Sequence, residues 1–131
     1  MLGKKKVLLV DDNLQVREVL SEGLRDLGFA VETAYDGVDG LQALERVSPD
    51  ALVVDFAMPR MNGAELAWRV QQLHPGLPVI MITGFADQAA LDELDELVVL
   101  HKPFDVETLG EAITAALHTR QFQTQSYSRH A

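Results

Sequence analysis

The stretch Val7-Leu8-Leu9-Val10-Asp11-Asp12 (residues 7–12) decides the fold: four apolar residues in a row, then two carboxylates. A short unbroken apolar run, without the alternation of a one-sided strand, suits a strand buried on both faces, as in a parallel sheet. The pattern returns along the chain. Ala51-Leu52-Val53-Val54 ends at Asp55, Val79-Ile80-Met81-Ile82 ends at Thr83, and Leu97-Val98-Val99-Leu100-His101 ends at Lys102-Pro103. If these runs are parallel strands of one sheet, their C-terminal ends share a single rim, where open α/β sheets bind ligands. Three carboxylates, one hydroxyl and one ammonium would meet there, and clustered carboxylates suit a hard divalent cation with oxygen ligands.

The intervening segments carry helical spacing. With the first strand at 5–10, a helix is expected over 14–27, with Val16, Val19, Leu20, Gly23, Leu24 and Leu27 at helical intervals, Asp12 or Asn13 as its cap and Gly28 as its stop. Residues 30–34 alternate apolar and polar, as an edge strand does. Asp36-Gly37 signals a turn, and Val38, Leu41, Leu44 and Val47 give a second helix closed by Ser48-Pro49. Strand 51–55 leads into a loop with Pro59 and Gly63 as breakers. A third helix then turns Leu66, Ala67, Val70 and Leu73 to the core and ends near His74-Pro75-Gly76. A strand over 77–83 precedes a short acidic helix over 87–96 with Leu91 and Leu94 inward, then a strand over 97–101. The last helix runs from Asp105, its candidate cap, to about His118, with Val106, Leu109, Ile113, Ala116 and Leu117 inward. The result is a (βα)5 pattern, an α/β doubly wound parallel sheet with helices on both faces. The 131 residues fit one domain, read as 5–120, followed by a polar, frayed tail or linker over 121–131.

Charge and composition exclude several functions. Twenty acidic residues against eleven basic give a net charge of −9, the wrong sign for a surface that displaces counterions from phosphates, so direct nucleic-acid binding is not expected. Lys4-Lys5-Lys6 reads as a solvated lead-in to the first strand. The absence of cysteine removes disulfide scaffolds, zinc–thiolate sites and thiol chemistry from this chain. No apolar run reaches membrane-spanning length and no signal peptide is legible, so a cytoplasmic chain without membrane insertion is expected.

Each site residue also has a plain reading. Asp11-Asp12 can cap a helix, Asp55 can start a turn, Thr83 can end a strand and Lys102 can sit in a loop. Met58, Met61 and Met81 read as core or loop filling, Trp68 as half-exposed and His74 as a helix-end cation. What raises the functional reading is that all the charged and hydroxyl residues fall at strand ends of one topology. Two or three adjacent carboxylates repel one another, a conflict that Mg²⁺ removes. A carboxylate can itself attack phosphorus, in a transfer that needs mainly positioning and charge neutralisation.

The segments VLLVDDN (7–13), VVDFAMPRMNG (53–63), VIMITGFAD (79–87) and LHKPF (100–104) together resemble the receiver domain of bacterial two-component response regulators, over roughly residues 5–120. The resemblance implies a flavodoxin-like sheet of order 2-1-3-4-5 and a signalling switch that assists its own phosphorylation and dephosphorylation but is not a turnover enzyme. It implies Asp55 as phosphoacceptor, and Mg²⁺ (or Mn²⁺) held by Asp12, Asp55 and the backbone carbonyl of Ala57, with Asp11 acting through metal-bound water. Lys102 and Thr83 would each contact a phosphoryl oxygen, and Lys102-Pro103 would be a cis peptide. The implied partner is a sensor histidine kinase or a histidine phosphotransfer domain, and the chain would be a stand-alone receiver or part of a longer regulator or hybrid kinase. Valine at position 99 departs from the pattern, which has an aromatic residue three positions before the lysine. That leaves the readout open, with His101 on the same side as Val99 if the strand alternates. Val99 and the short helix before it also support an alternative, a non-switching interaction scaffold, against which the intact acid cluster and Lys102 stand. Aspartate-based phosphohydrolases of the haloacid dehalogenase type place a DxD nucleophile after the first strand, a spacing that Asp11-Asp12-Asn13 lacks.

Overall fold

Val7, Leu8, Leu9 and Val10 are all fully buried, which a strand achieves only when helices cover both of its faces. The computed structural model describes residues 3–84, 91, 92, 94 and 97–130, the side chains of 120–130 excepted. In chain order the elements are β1 (Lys6–Val10), α1 (Leu14–Asp26), β2 (Ala30–Ala34), α2 (Gly37–Val47), β3 (Ala51–Asp55), α3 (Gly63–Leu73), β4 (Val79–Thr83), β5 (Leu97–His101) and α4 (Val106–His130). Every strand pair is parallel and the sheet order is β2-β1-β3-β4-β5, the expected flavodoxin-like arrangement. The short helix expected over 87–96 lies largely outside the described residues. Within that span Leu91 is buried and Leu94 packs half-buried on the core, both inward as read from the sequence.

Alternation along the strands divides the core into two layers. Val7 and Leu9 of β1, Ala51 and Val53 of β3, and Ile80 and Ile82 of β4 meet Leu20 and Leu24 of α1 and Leu109 and Ile113 of α4. Their neighbours Leu8, Val10, Leu52, Val54, Val79 and Met81 meet Ala43, Leu44 and Val47 of α2 and Ala64, Leu66, Ala67 and Val70 of α3. Full burial of a Val, Leu or Ile side chain contributes about 1.5–3 kcal/mol, so the three central strands supply the largest part of the core. The strand edges are less buried: β2 exposes Glu32, and β5 is only half-buried.

Each of the four helices α1 to α4 begins at the rim with an Asx cap, whose side-chain oxygen satisfies an otherwise orphaned first-turn N–H. Asn13 accepts from the Val16 N–H at 3.0 Å, Asp36 from Asp39 at 2.8 Å, Asn62 from Glu65 at 2.9 Å and Asp105 from Thr108 at 2.8 Å. Asp36-Gly37, read as a turn, is thus the opening of α2. Gly28 ends α1 with φ of 103°, in the region glycine enters without steric penalty.

Several boundaries and faces differ from the sequence expectation. Val19, Leu27, Val38 and Leu73 are exposed. Val19 lies one residue, about 100° of helix rotation, off the Val16–Leu20–Leu24 stripe. Leu27 is the C-cap of α1, Leu73 is the last residue of α3 and Val38 lies in the first turn of α2, each beyond the residues that reach the sheet. β4 starts at Val79, not at 77, because Pro78 has no N–H to give the ladder. Helix α4 continues to His130, past the expected end near His118, because residues 119–130 contain neither proline nor glycine to stop it.

Leu66 and Leu73 sit on the same helix, one fully buried and one 60% exposed. Leu66→Ala is expected to lower the unfolding free energy by about 2–5 kcal/mol, and Leu73→Ala to change it by less than about 0.5 kcal/mol. Urea denaturation monitored by circular dichroism measures both, and equal effects would contradict the assigned core face.

Candidate functional site

The parallel register brings the strand ends level. Val10 pairs with Val54, so Asp11 follows beside Asp55 on the two central strands. Asp55 pairs with Ile82, and Thr83 with His101. The ladder continues one step past the strands: the Phe56 N–H donates to the Ile82 carbonyl at 2.9 Å and the Lys102 N–H to the Thr83 carbonyl at 2.8 Å. Neighbouring strands lie about 4.8 Å apart, so these residues necessarily form one cluster.

Oxygen atoms of Asp11, Asp12 and Asp55 lie within 4.8 Å of one another. Asp11 and Asp55 are 2% and 5% exposed, and Thr83 is 1% exposed, whereas Asp12 faces solvent. The Lys102 Nζ is 3.3 Å from Asp55 Oδ1. Lys102-Pro103 is a cis peptide, as the resemblance implied. Ala57 is an exposed residue two positions past Asp55. Val99 packs half-buried against the layer that α2 and α3 cover, with Met81 opposite it in register, and His101 is exposed.

The electrostatics of the cluster are unbalanced. Burial pushes the Asp11 carboxyl above its ordinary range, and the Asn13 N–H, donating to its Oδ1 at 2.8 Å, only partly opposes this. Burial also raises Asp55, with the Asp11 charge adding to the effect and Lys102 opposing it. Even with the Arg17 guanidinium nearby, one ammonium among three carboxylates leaves an excess of negative charge around two buried acids. Two buried atoms, Asp11 Oδ2 and Thr83 Oγ1, have no hydrogen-bond partner among the described residues. Buried polar atoms are normally satisfied, and an orphan points to a strained, catalytic or ion-binding role. An oxygen-rich, over-charged cluster with an unsatisfied carboxylate oxygen fits a small hard cation.

The loops that carry the cluster are fastened in ways the sequence did not signal. The Asp11 N–H donates to the Ala34 carbonyl at 3.2 Å, and Arg17 Nη1 donates to the Asp11 carbonyl at 2.7 Å. Arg60, at φ of 67°, reaches Asp36 with its Nη2 at 3.1 Å and so ties the loop after β3 to the cap of α2. The Asp39 N–H, and after it Arg60, hold the Asp36 carboxyl below its ordinary value. Gly63 closes that loop from below: a Cβ there would lie 2.5 Å from the Asp55 carbonyl and 2.8 Å from Phe56 Cα, so α3 can start directly under the strand end only with glycine. Its N–H donates to the Phe56 carbonyl at 2.8 Å.

Known proteins resemble this chain in sequence and in fold. The response regulator MprA of Mycobacterium leprae is 37% identical over 121 residues, 86% of this chain and 50% of that protein. The DNA-binding transcriptional regulator NtrC of Escherichia coli is 35% identical over 122 residues, 91% of this chain and 26% of that protein. The chain thus spans half or less of the length of these curated relatives. Among solved structures, the chemotaxis protein CheY4 of Vibrio cholerae superposes with a TM-score of 0.81 at 30% identity, covering 87% of this chain and 99% of that one. Residues 7–114 match the response regulator receiver domain, and with five parallel strands in the order 2-1-3-4-5 behind its acidic rim the chain belongs to that family.

Proposed function

We propose that this chain accepts a phosphoryl group from a phosphohistidine onto Asp55, in a reaction that requires Mg²⁺ or Mn²⁺, and that the modified state alters its affinity for a partner or an attached output module. The observation that carries the reading is the 3.3 Å approach of Lys102 to Asp55 beside two further carboxylates. A lone surface ion pair would need no such acidic surroundings.

The chemistry follows from these residues. An Asp55 carboxylate oxygen attacks phosphorus, an O–P bond forms, and the P–N bond to the donor imidazole breaks. The ring nitrogen keeps the bonding pair, and a proton from solvent lets the imidazole leave neutral. Asp55 must be ionised to attack, and the Lys102 ammonium favours that form against the effect of burial. After transfer, the same ammonium is within reach of a phosphoryl oxygen, and the unpaired Thr83 hydroxyl is free to donate to another. Asp11, Asp12 and Asp55 would hold the divalent cation, together with the Ala57 carbonyl. When bound, the cation would neutralise charge that builds on the transferring oxygens.

The donor would be a sensor histidine kinase or a histidine phosphotransfer domain. No helix among the described residues is long and apolar enough to cross a membrane. The scaffold alternative gains nothing from the site: a protein that only docks has no use for three clustered carboxylates around an Asp11 oxygen that is buried and has no partner among the described residues.

Two outcomes are expected. With acetyl phosphate as donor, the chain should incorporate phosphate only when Mg²⁺ is present. Asp55→Asn should reduce incorporation to background, and Lys102→Ala should slow it on the order of a hundredfold. Phosphate-affinity gel electrophoresis or intact-mass spectrometry reads the product, and incorporation into Asp55→Asn at the wild-type rate would refute the assignment.

The second concerns stability. The folded-state pKa values of Asp11 and Asp55 lie above their unfolded values, so folding takes up protons. The stability they confer is present at low pH and is lost as pH rises through the folded-state values. Asp11→Asn keeps an acceptor for the Asn13 N–H and removes the charge. In the presence of EDTA it should therefore raise the melting temperature near neutrality by a few degrees, with a smaller gain in acid. Differential scanning calorimetry tests this, and a lower melting temperature at neutral pH would contradict it.

A further inference from the structure

We infer that Arg17 is a positioning residue that aims the Asp12 carboxylate into the cation site by clamping the peptide between Asp11 and Asp12. This rests on the cation-site reading above.

Asp11 is held at three points. Its N–H bonds to Ala34, its Oδ1 accepts from the Asn13 N–H, and its carbonyl accepts from Arg17 Nη1 at 2.7 Å, the shortest of the three. The carbonyl belongs to the same planar unit as the Asp12 nitrogen. Fixing its direction therefore fixes the direction in which the Asp12 Cα leaves the strand. Asp12 needs this help, because it is exposed and takes part in no hydrogen bond among the described residues. Its oxygen nonetheless lies within 4.8 Å of those of Asp11 and Asp55.

Arg17 is itself well placed for this task. It lies in the first turn of α1, half-buried, with its N–H bonded to the Asn13 carbonyl at 3.0 Å and its own carbonyl accepting from the Ser21 hydroxyl at 2.6 Å. The helix start, its Asn13 cap and the acid pair are thus one bonded unit, and the guanidinium closes it. Outer-shell partners of this kind typically change metal affinity by 10- to 100-fold when removed.

The charge of Arg17 makes the test decisive. A cation this near the acids repels a metal ion, so a residue acting through its field alone would weaken metal binding, and its removal would tighten it. A clamp gives the opposite sign. Isothermal titration of the whole chain with MgCl₂ should find Arg17→Gln, whose amide is too short to reach the carbonyl, about 10-fold weaker than wild type. Arg17→Lys, which keeps a donor on a long stem, should fall between them. Acetyl phosphate incorporation by Arg17→Gln should be slow at limiting Mg²⁺ and recover at saturating Mg²⁺. Equal or tighter Mg²⁺ binding by Arg17→Gln overturns the inference, as does a transfer defect that excess Mg²⁺ leaves in place. If circular dichroism finds Arg17→Gln unfolded, Arg17→Lys decides: weakened binding supports the clamp and unchanged binding overturns it. Failure of the wild-type chain to bind Mg²⁺ would instead refute the cation-site reading itself.

Discussion

Repulsion among three carboxylates in a half-dry rim is the constraint around which this molecule is organised. Asp11 and Asp55 are buried, Asp12 stands beside them, and Lys102 neutralises only part of their charge. Such an arrangement opposes folding near neutral pH. It is maintained because the stretches 7–10, 51–54 and 79–82 beneath it are apolar and sandwiched between two helical layers. The core therefore supplies the stability that the rim consumes, and a ligand of opposite charge at the rim would return part of it by mass action.

The same opposition explains why the loops at this end are fastened so thoroughly. A loop free to relax would let the carboxylates swing apart into water. Helix caps, the Arg17 contact, the Arg60–Asp36 pair and the tight seat of Gly63 under Asp55 each remove one route of relaxation. Arg60 does this from a left-handed backbone conformation that costs a non-glycine residue about 1–2 kcal/mol. Strain of this sort gathers where geometry has to be held.

The sheet and the principal cluster were legible in the sequence because both rest on short-range patterns. Continuous apolar runs marked β1, β3 and β4, and in a parallel sheet whatever follows such runs must share an edge. Asp11, Asp12, Asp55, Thr83 and Lys102 were therefore findable without a structure. The fastenings were not. Arg17 and Asp11 are six residues apart, and their contact runs from side chain to main chain, so it leaves no mark on hydrophobic periodicity. Arg60 meets Asp36 across two elements, and nothing in the Met58-Pro59-Arg60 tripeptide announces a positive φ. The exposed Val19, Leu27, Val38 and Leu73 are the converse error: apolar residues were grouped at helical spacing, although Val19 lies off the inward stripe and the other three lie at helix ends that the sheet does not cover. Periodicity also set the end of the last helix too early, since it detects where core contacts stop and not where the backbone turns.

The rim is stiff on one side and soft on the other. β1, β3 and β4 bury nearly every side chain, whereas β5 at the sheet edge is half-exposed along its length. The groups that would meet an incoming anion, Thr83 and Lys102, sit on the two sides of that boundary, joined by the bond between the Lys102 N–H and the Thr83 carbonyl. Any pull on Lys102 acts on a strand with few packing contacts, while the same pull on Asp55 acts on the centre of the core. Local openings are drawn from the least buried elements, and of the strands that end beside the acid cluster β5 is the least buried. Valine at position 99 lies on this less buried strand, opposite Met81 of β4, and puts a small branched side chain, not a large ring, against the layer that α2 and α3 cover.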